Sequence, residues 1–256
     1  MSADVLRAEI GKGLRVQLAH PAGHVITLLI STMMYLGLQF VLGQGELRRD
    51  LLPQTLVAIG GYWFLQYAGL VMVADLIEEK RAGTFAQAQM TSAPPWLPML
   101  GRLLTAAVFG LAVAAVASLV PMLVAGIAVP PRWEALPPAA LLGANVLAFT
   151  FLLASLALVS PMIGALQSLF ASLILLLNGS FLPLALYPDW LAVLARILPT
   201  TLGVEALTQT LFEERTLAEV WRGGTLPWLL LHTLALTVVS GLLFVRNHRR
   251  ALQEPS

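Results

Sequence analysis

The chain of 256 residues contains no cysteine. Disulfides, thiolate metal sites and a cysteine nucleophile are therefore excluded. Charge is nearly as scarce: Asp, Glu, Lys and Arg make up 11% of the residues, less than half of the roughly 25% carried by soluble domains. That density cannot coat a water-soluble globule of this size. With 58% hydrophobic residues and a mean hydropathy of +0.81, the surplus apolar surface requires lipid as its solvent. A net charge of +1, with the cations in short clusters, argues against a nucleic-acid partner. No Gly-x-x-x-x-Gly-Lys-[Ser/Thr] sequence occurs, and Gly11-Lys12-Gly13 lacks both its spacing and its hydroxyl, so the chain has no Walker site for ATP. His-Glu-x-x-His is also missing, and His20, His24, His232 and His248 are dispersed. No catalytic, cofactor or metal site is expected.

What the chain does have is a series of windows free of Asp, Glu, Lys and Arg: Val16–Gly45, Leu51–Ala74, Leu103–Pro131, Ala135–Pro188 and Gly223–Val245. A helix crosses a hydrocarbon core of about 30 Å with about 20 apolar residues. The fourth window is too long for one span, and Ser160-Pro161 divides it, because proline disfavours helix at the residue before it. Six spans are expected, near Ala22–Gly43, Gln54–Ile77, Gly101–Val129, Pro138–Val159, Met162–Leu177 and Leu226–Val245. The stretch Ala82–Gly101 is excluded by its polar residues and by Pro94, Pro95 and Pro98. About twenty residues of mixed polarity precede the first span, unlike a secretory signal. With this alternation, nine Lys and Arg residues fall on the side of both termini and six on the other. Both termini are therefore expected in the cytoplasm of a multi-pass cell (inner or plasma) membrane protein.

The segments between spans carry further expectations. Val5, Leu6, Ile10, Leu14 and Leu18 recur at helical steps, with Arg7, Lys12 and Arg15 on other faces. Residues Ser2–Leu18 thus read as an interfacial amphipathic helix, either a simple anchor or a docking element. After the second span, Asp75, Glu78, Glu79, Lys80 and Arg81 form a charge cluster. Gly83 permits a break there, Thr84 can cap a short helix, and Pro94-Pro95 would end it. The alternative is an ordinary charged loop end. On the outer side, Trp190, Leu191, Leu194, Ile197 and Leu198 have helical spacing between Pro188 and Pro199. They read as a re-entrant helix pair or as an interfacial hairpin. Thr216 and Glu219 have capping-box spacing for a short external helix.

Ser180 and His232 are weighed as an intramembrane nucleophile and base. No Gly-x-Ser-x-Gly elbow surrounds Ser180, and His232 better fits helix packing. An ion-coupled carrier would need charges within the spans, which hold none; Asp75 sits about one turn from a span end. Glu205 is expected to line the outer vestibule or meet a neighbouring helix. Asn178-Gly-Ser also matches a glycosylation sequon, at a span end where it has little meaning. Gly60, Gly61 and Gly69 allow close helix approach, between chains or within one.

Together these segments resemble the membrane (permease) subunit of an ABC type-2 exporter over nearly the full length. The resemblance rests on the N-terminal interfacial helix and on six spans with both ends inside. It rests also on the Glu78, Glu79, Lys80, Arg81, Ala82, Gly83, Thr84 stretch, and on Asn178, Gly179, Ser180, Phe181, Leu182, Pro183 through Pro188 and Trp190 to Pro199. It implies an all-α polytopic fold forming a single permease domain over residues 1–256. Within it lie the interfacial helix at 1–21, spans one to five at 22–177, the outer re-entrant and external segment at 178–224, and span six at 225–245. It further implies that Glu78, Glu79, Lys80, Arg81, Gly83, Thr84 and Pro94 couple to a separate ATPase subunit, which holds ATP and Mg. Asn178, Gly179, Phe181, Pro183, Pro188, Trp190 and Pro199 would form the outer gate. A second permease copy, identical or a paralogue, and the lipid bilayer complete the expected partners. The Gly-Thr pair is commonly followed in the family by an acidic residue and leucine; here Phe85 follows it.

Overall fold

The computed structural model describes residues 2–19, 21–85, 94 and 96–253. Among these residues ten α-helices run as α1 (Ser2–Leu18), α2 (Pro21–Leu42), α3 (Leu52–Arg81), α4 (Trp96–Val124), α5 (Leu136–Ala157), α6 (Ile163–Leu177), α7 (Asp189–Ile197), α8 (Thr201–Leu211), α9 (Leu217–Arg222) and α10 (Thr225–Gln253). The described residues include no strand. Glu79, in the last turns of α3, lies at one end of the bundle, and Asn178, packed near the start of α3, lies at the other.

Proline marks several of the boundaries. Pro21 opens α2, and Pro53 lies in the first turn of α3, where a missing backbone donor has no consequence. Helix α3 contains a wide π-helical turn, Leu70–Ala74, in which the amide of Asp75 donates to the Leu70 carbonyl. It is the central helix: 78% of its apolar window is buried, against 12% for α2. One face packs Leu56, Ile59, Trp63 and Tyr67 with Tyr35 of α2 and Phe109, Val113 and Met122 of α4. The other packs Phe64, Ala68, Met72 and Leu76 with Val146, Phe149 and Leu153 of α5 and Ile174 of α6.

Among the described residues five helices are long and apolar enough to cross a membrane, or six if the bent pair α7–α8 is one span. The fifth of the six expected spans is a helix of only 15 residues, roughly 22 Å by its rise. It nevertheless traverses the bundle. Gly164 lies against Ile77 of α3, while Asn178 donates to the Ala58 carbonyl, and these α3 residues are separated by about 28 Å of helix. The third span starts at Trp96 rather than Gly101 and stops at Val124 rather than Val129, and the last extends past Val245 to Gln253. Beyond a span's apolar core a helix continues into water as long as its backbone is satisfied, so hydropathy misplaces such ends. The early stop at Val124 is set instead by Gly126 at φ +68°.

Gly60, Gly61 and Gly69 face Ser118 of α4, Val204 of α8 and Gln167 of α6. All three serve packing within this chain.

Candidate functional site

The Glu79 end is built around one carboxylate. Glu79 projects from the last turns of α3 and accepts from Lys12 Nζ of α1 at 2.6 Å and from the Arg102 guanidinium of α4. Arg102 and Glu79 are largely buried, with side chains 11% and 16% exposed, whereas Lys12 is 56% exposed. Removing one partner of a buried ion pair costs more than forming it gains, because the other charge stays behind uncompensated. Nearby, Gln17 Nε2 donates to Asp75 Oδ2 at 3.4 Å. The Thr105 side chain of α4 lies against Gly13 of α1, and the Glu9 side chain of α1 against Gly101 of α4, so each helix seats a neighbouring side chain where it has none of its own. Helix α1 is thereby docked on α3 and α4 as well as amphipathic.

The other residues expected at this end divide into two groups. Lys80 turns inward and donates to the Leu158 carbonyl at 2.5 Å, where a cation suits the C-terminal dipole of α5. Glu78, Arg81, Gly83 and Thr84 are exposed, as is Pro94. Gly83 adopts φ +71°, a left-handed conformation that ends the helix and that side chains disfavour. The Thr84 hydroxyl donates back to the Glu79 carbonyl at 3.3 Å. Phe85, the departure from the family pattern, is buried in the main core. The short helix expected after Thr84 falls on residues 86–93, outside the described residues.

At the Asn178 end the chain breaks and is held by neutral hydrogen bonds. Asn178 is fully buried. Its Nδ2 donates to the Ala58 carbonyl at 2.9 Å, and its Oδ1 accepts from the Ser180 amide at 3.1 Å and the Ser180 hydroxyl at 2.6 Å. Gly179 between them has φ +95°. The Phe181 carbonyl accepts from Gln39 Nε2 of α2 at 3.0 Å, and Pro183 is buried. Pro188 precedes the first turn of α7, whose Trp190 is 65% exposed. Helices α7 and α8 meet at a bend of 108°, placed by Pro199 and by Thr200 at φ +87°. Across the bend, Arg196 Nε and Nη2 donate to the two oxygens of Glu205 at 3.0 and 2.8 Å. Glu205 thus meets the neighbouring helix and also borders the adjoining cavities.

Thr216 and Glu219 form the expected capping box on α9. The Thr216 amide, and then its hydroxyl, donate to Glu219 and hold that carboxyl below its ordinary pKa. Ser180 and His232 are engaged elsewhere, Ser180 with Asn178 and His232 with Asn145.

One polar cluster was not anticipated. Asn145, fully buried in α5, donates to His232 Nδ1 at 3.0 Å and to Thr233 Oγ1 at 2.9 Å on α10. Interhelical hydrogen bonds of this kind join spans where the hydrophobic effect supplies no helix–helix attraction. A scan for uncharged amides inside the spans, and not only for charges, would have found it.

Cavities flank the bundle at both ends. One of about 530 Å³ lies at the Glu79 end between the π turn of α3 and α6, bordered by Leu70, Ala74, Glu78, Arg81, Gln167 and Ser168. Another, of about 730 Å³, lies at the Asn178 end between the bent pair and α10.

No curated protein matches the chain significantly. The family model described as ABC-2 type transporter matches residues 10–212, from within α1 through α8 and across both candidate ends. This multi-pass chain belongs to the ABC-2 type transporter membrane family.

Proposed function

We propose that the chain is the permease subunit of an ATP-driven exporter and forms one permease domain along its whole length. A separate ATPase subunit, which binds ATP and Mg, docks at the Glu79 end. That end lies in the cytoplasm with both termini, and the membrane is the cell membrane. The observation that carries this reading is the placement of exposed Glu78, Arg81, Gly83 and Thr84 on the tip of α3, whose root is knotted to α1 and α4 through Glu79. A partner pressing on this tip meets a lever that moves three helices together. Such a lever shifts the spans only if the partner contacts two states differently.

A second copy completes the pathway. Helix α6 exposes Ser168 and Ser172 on an otherwise apolar surface, beside the cavity at the π turn. We assign that face to the pathway and its substrate to a hydrophobic drug- or lipid-like class, because few charges line it. The Asn178 turn and the bent α7–α8 pair close the far side.

The test is co-purification with the ATPase and transport by the reconstituted pair. Replacing Gly83-Thr84 by Ala-Ala is expected to retain the fold and ATPase binding while lowering coupled transport at least tenfold. ATP-dependent transport by this chain alone, or unaltered coupling in the variant, overturns the reading.

A further inference from the structure

The 730 Å³ cavity at the Asn178 end has the size of a small-molecule site and a graded wall. From α10 it takes Thr225, Trp228, Leu231, His232 and Ala235, one helical face at steps of three and four. Thr225 to Ala235 covers roughly 15 Å of helix, the depth of one leaflet in a core of about 30 Å. Its mouth carries Arg215 and Gly223-Gly224, and Ala235 lies at its deep end. His232, also at depth, is bonded to Asn145.

Three observations select the occupant. Val193, Ile197, Trp228 and Leu231 are each more than half exposed, so the cavity opens sideways toward acyl chains and not only toward water. Arg196 and Arg215 border the wall, each beside one carboxylate, Glu205 and Glu213. Glu205 is taken by Arg196, while Arg215, 48% exposed and paired with Glu213 at 2.9 Å, keeps the remaining donors of its fork free for a phosphate. Finally, the side-chain oxygen of Gln209 is buried beside the mouth without a hydrogen-bond partner. A buried acceptor left unmet is costly, and a headgroup hydroxyl satisfies it.

We propose that this cavity binds one anionic phospholipid that enters from the adjoining leaflet. Its acyl chain runs down the Trp228, Leu231 and Ala235 face, its phosphate meets Arg215, and a headgroup hydroxyl meets Gln209. The site is independent of the transport reading and holds whether or not the chain exports.

The experiment uses the full chain in phosphatidylcholine vesicles doped with phosphatidylglycerol carrying a photoreactive group at the acyl terminus. Cross-links are mapped by mass spectrometry and normalised to Leu123 and Val124, two open lipid-facing residues of α4. The expected result is selective labelling of 231–235 by this probe over its phosphatidylcholine counterpart. Arg215→Gln lowers that labelling about tenfold, the loss of one charge-assisted hydrogen bond, with unchanged thermal unfolding. Ala235→Phe, which fills the deep end, abolishes it. Equal labelling by the two probes, or labelling that persists in Arg215→Gln, overturns the site. Chain-to-chain cross-links that protect 231–235 overturn it as well, by assigning the face to a second copy.

Discussion

At one end of the bundle Glu79 gathers Lys12 and Arg102 into a charged knot between three helices. At the other, Asn178 uses a neutral amide to hold Ala58 of α3 and the turn after α6. The first arrangement joins regular helices through side chains alone. The second satisfies backbone that no helix can satisfy, because the chain between α6 and α8 is broken at Gly179, Pro183 and Pro199. Charge draws its strength from a partner of opposite sign and fails badly when one is lost. An amide serves where carbonyls and amides must be met in apolar surroundings.

This contrast breaks most visibly at Glu79. Glu79→Ala strands Arg102 in a buried position, and we expect a loss of about 2–3 kcal/mol, below the roughly 3–5 of a fully buried pair because Lys12 reaches water. Thermal unfolding in detergent checks this against Glu78→Ala, whose exposed side chain should cost almost nothing. Equal effects of the two substitutions would dissolve the knot as a structural unit. Next comes Asn178→Asp, which keeps the acceptor for Ser180 and loses the donor to Ala58. A cost of about 1–3 kcal/mol is expected, with faster amide exchange at the 178–183 turn. If Asp equals Asn, the Ala58 contact carries no weight.

A smaller effect is expected across the bend, where Arg196 is half exposed. The coupling between Arg196→Gln and Glu205→Gln in a double-mutant cycle should reach about 0.5–1 kcal/mol. The smallest belongs to Glu219. Its carboxyl is held below its ordinary pKa by the Thr216 amide and hydroxyl. A depressed folded value stabilises above the unfolded pKa, so the cap is intact near neutrality and is lost as pH falls through the folded value. The protection of the Thr216 and Glu219 amides, relative to their intrinsic exchange rates, should fall on acidification and be insensitive to it in Glu219→Gln.

The two ends were also unequally legible. The spans and the helix pair before the last of them follow from charge-free windows and proline positions, since lipid demands long apolar helices and proline withholds a donor; that α3 is the central helix did not. Gly179, Pro183 and Pro199 were readable because breakers act locally. Lys80 was not, because its partner Leu158 is a backbone carbonyl 78 residues away, and no side-chain pattern announces a carbonyl. Glu78 and Glu79 are adjacent and alike in sequence. Only the packing of α1 and α4 shows that one faces outward and the other holds the bundle together. Asn145 and Gln39 escaped for another reason: a single uncharged amide in a span barely alters hydropathy, yet each bridges two segments.

The wide turn Leu70–Ala74 has a consequence for the angular setting of the last two turns of α3. A π turn amounts to one residue inserted into an α-helix, and one residue rotates every later side chain by about 100°. Asp75 and Glu79 therefore face Gln17, Lys12 and Arg102 with a phase that an uninterrupted helix would not provide. Deleting one residue within 70–74 would leave the composition of α3 almost unchanged. It would swing its terminal carboxylates around the helix axis, away from the cations they hold.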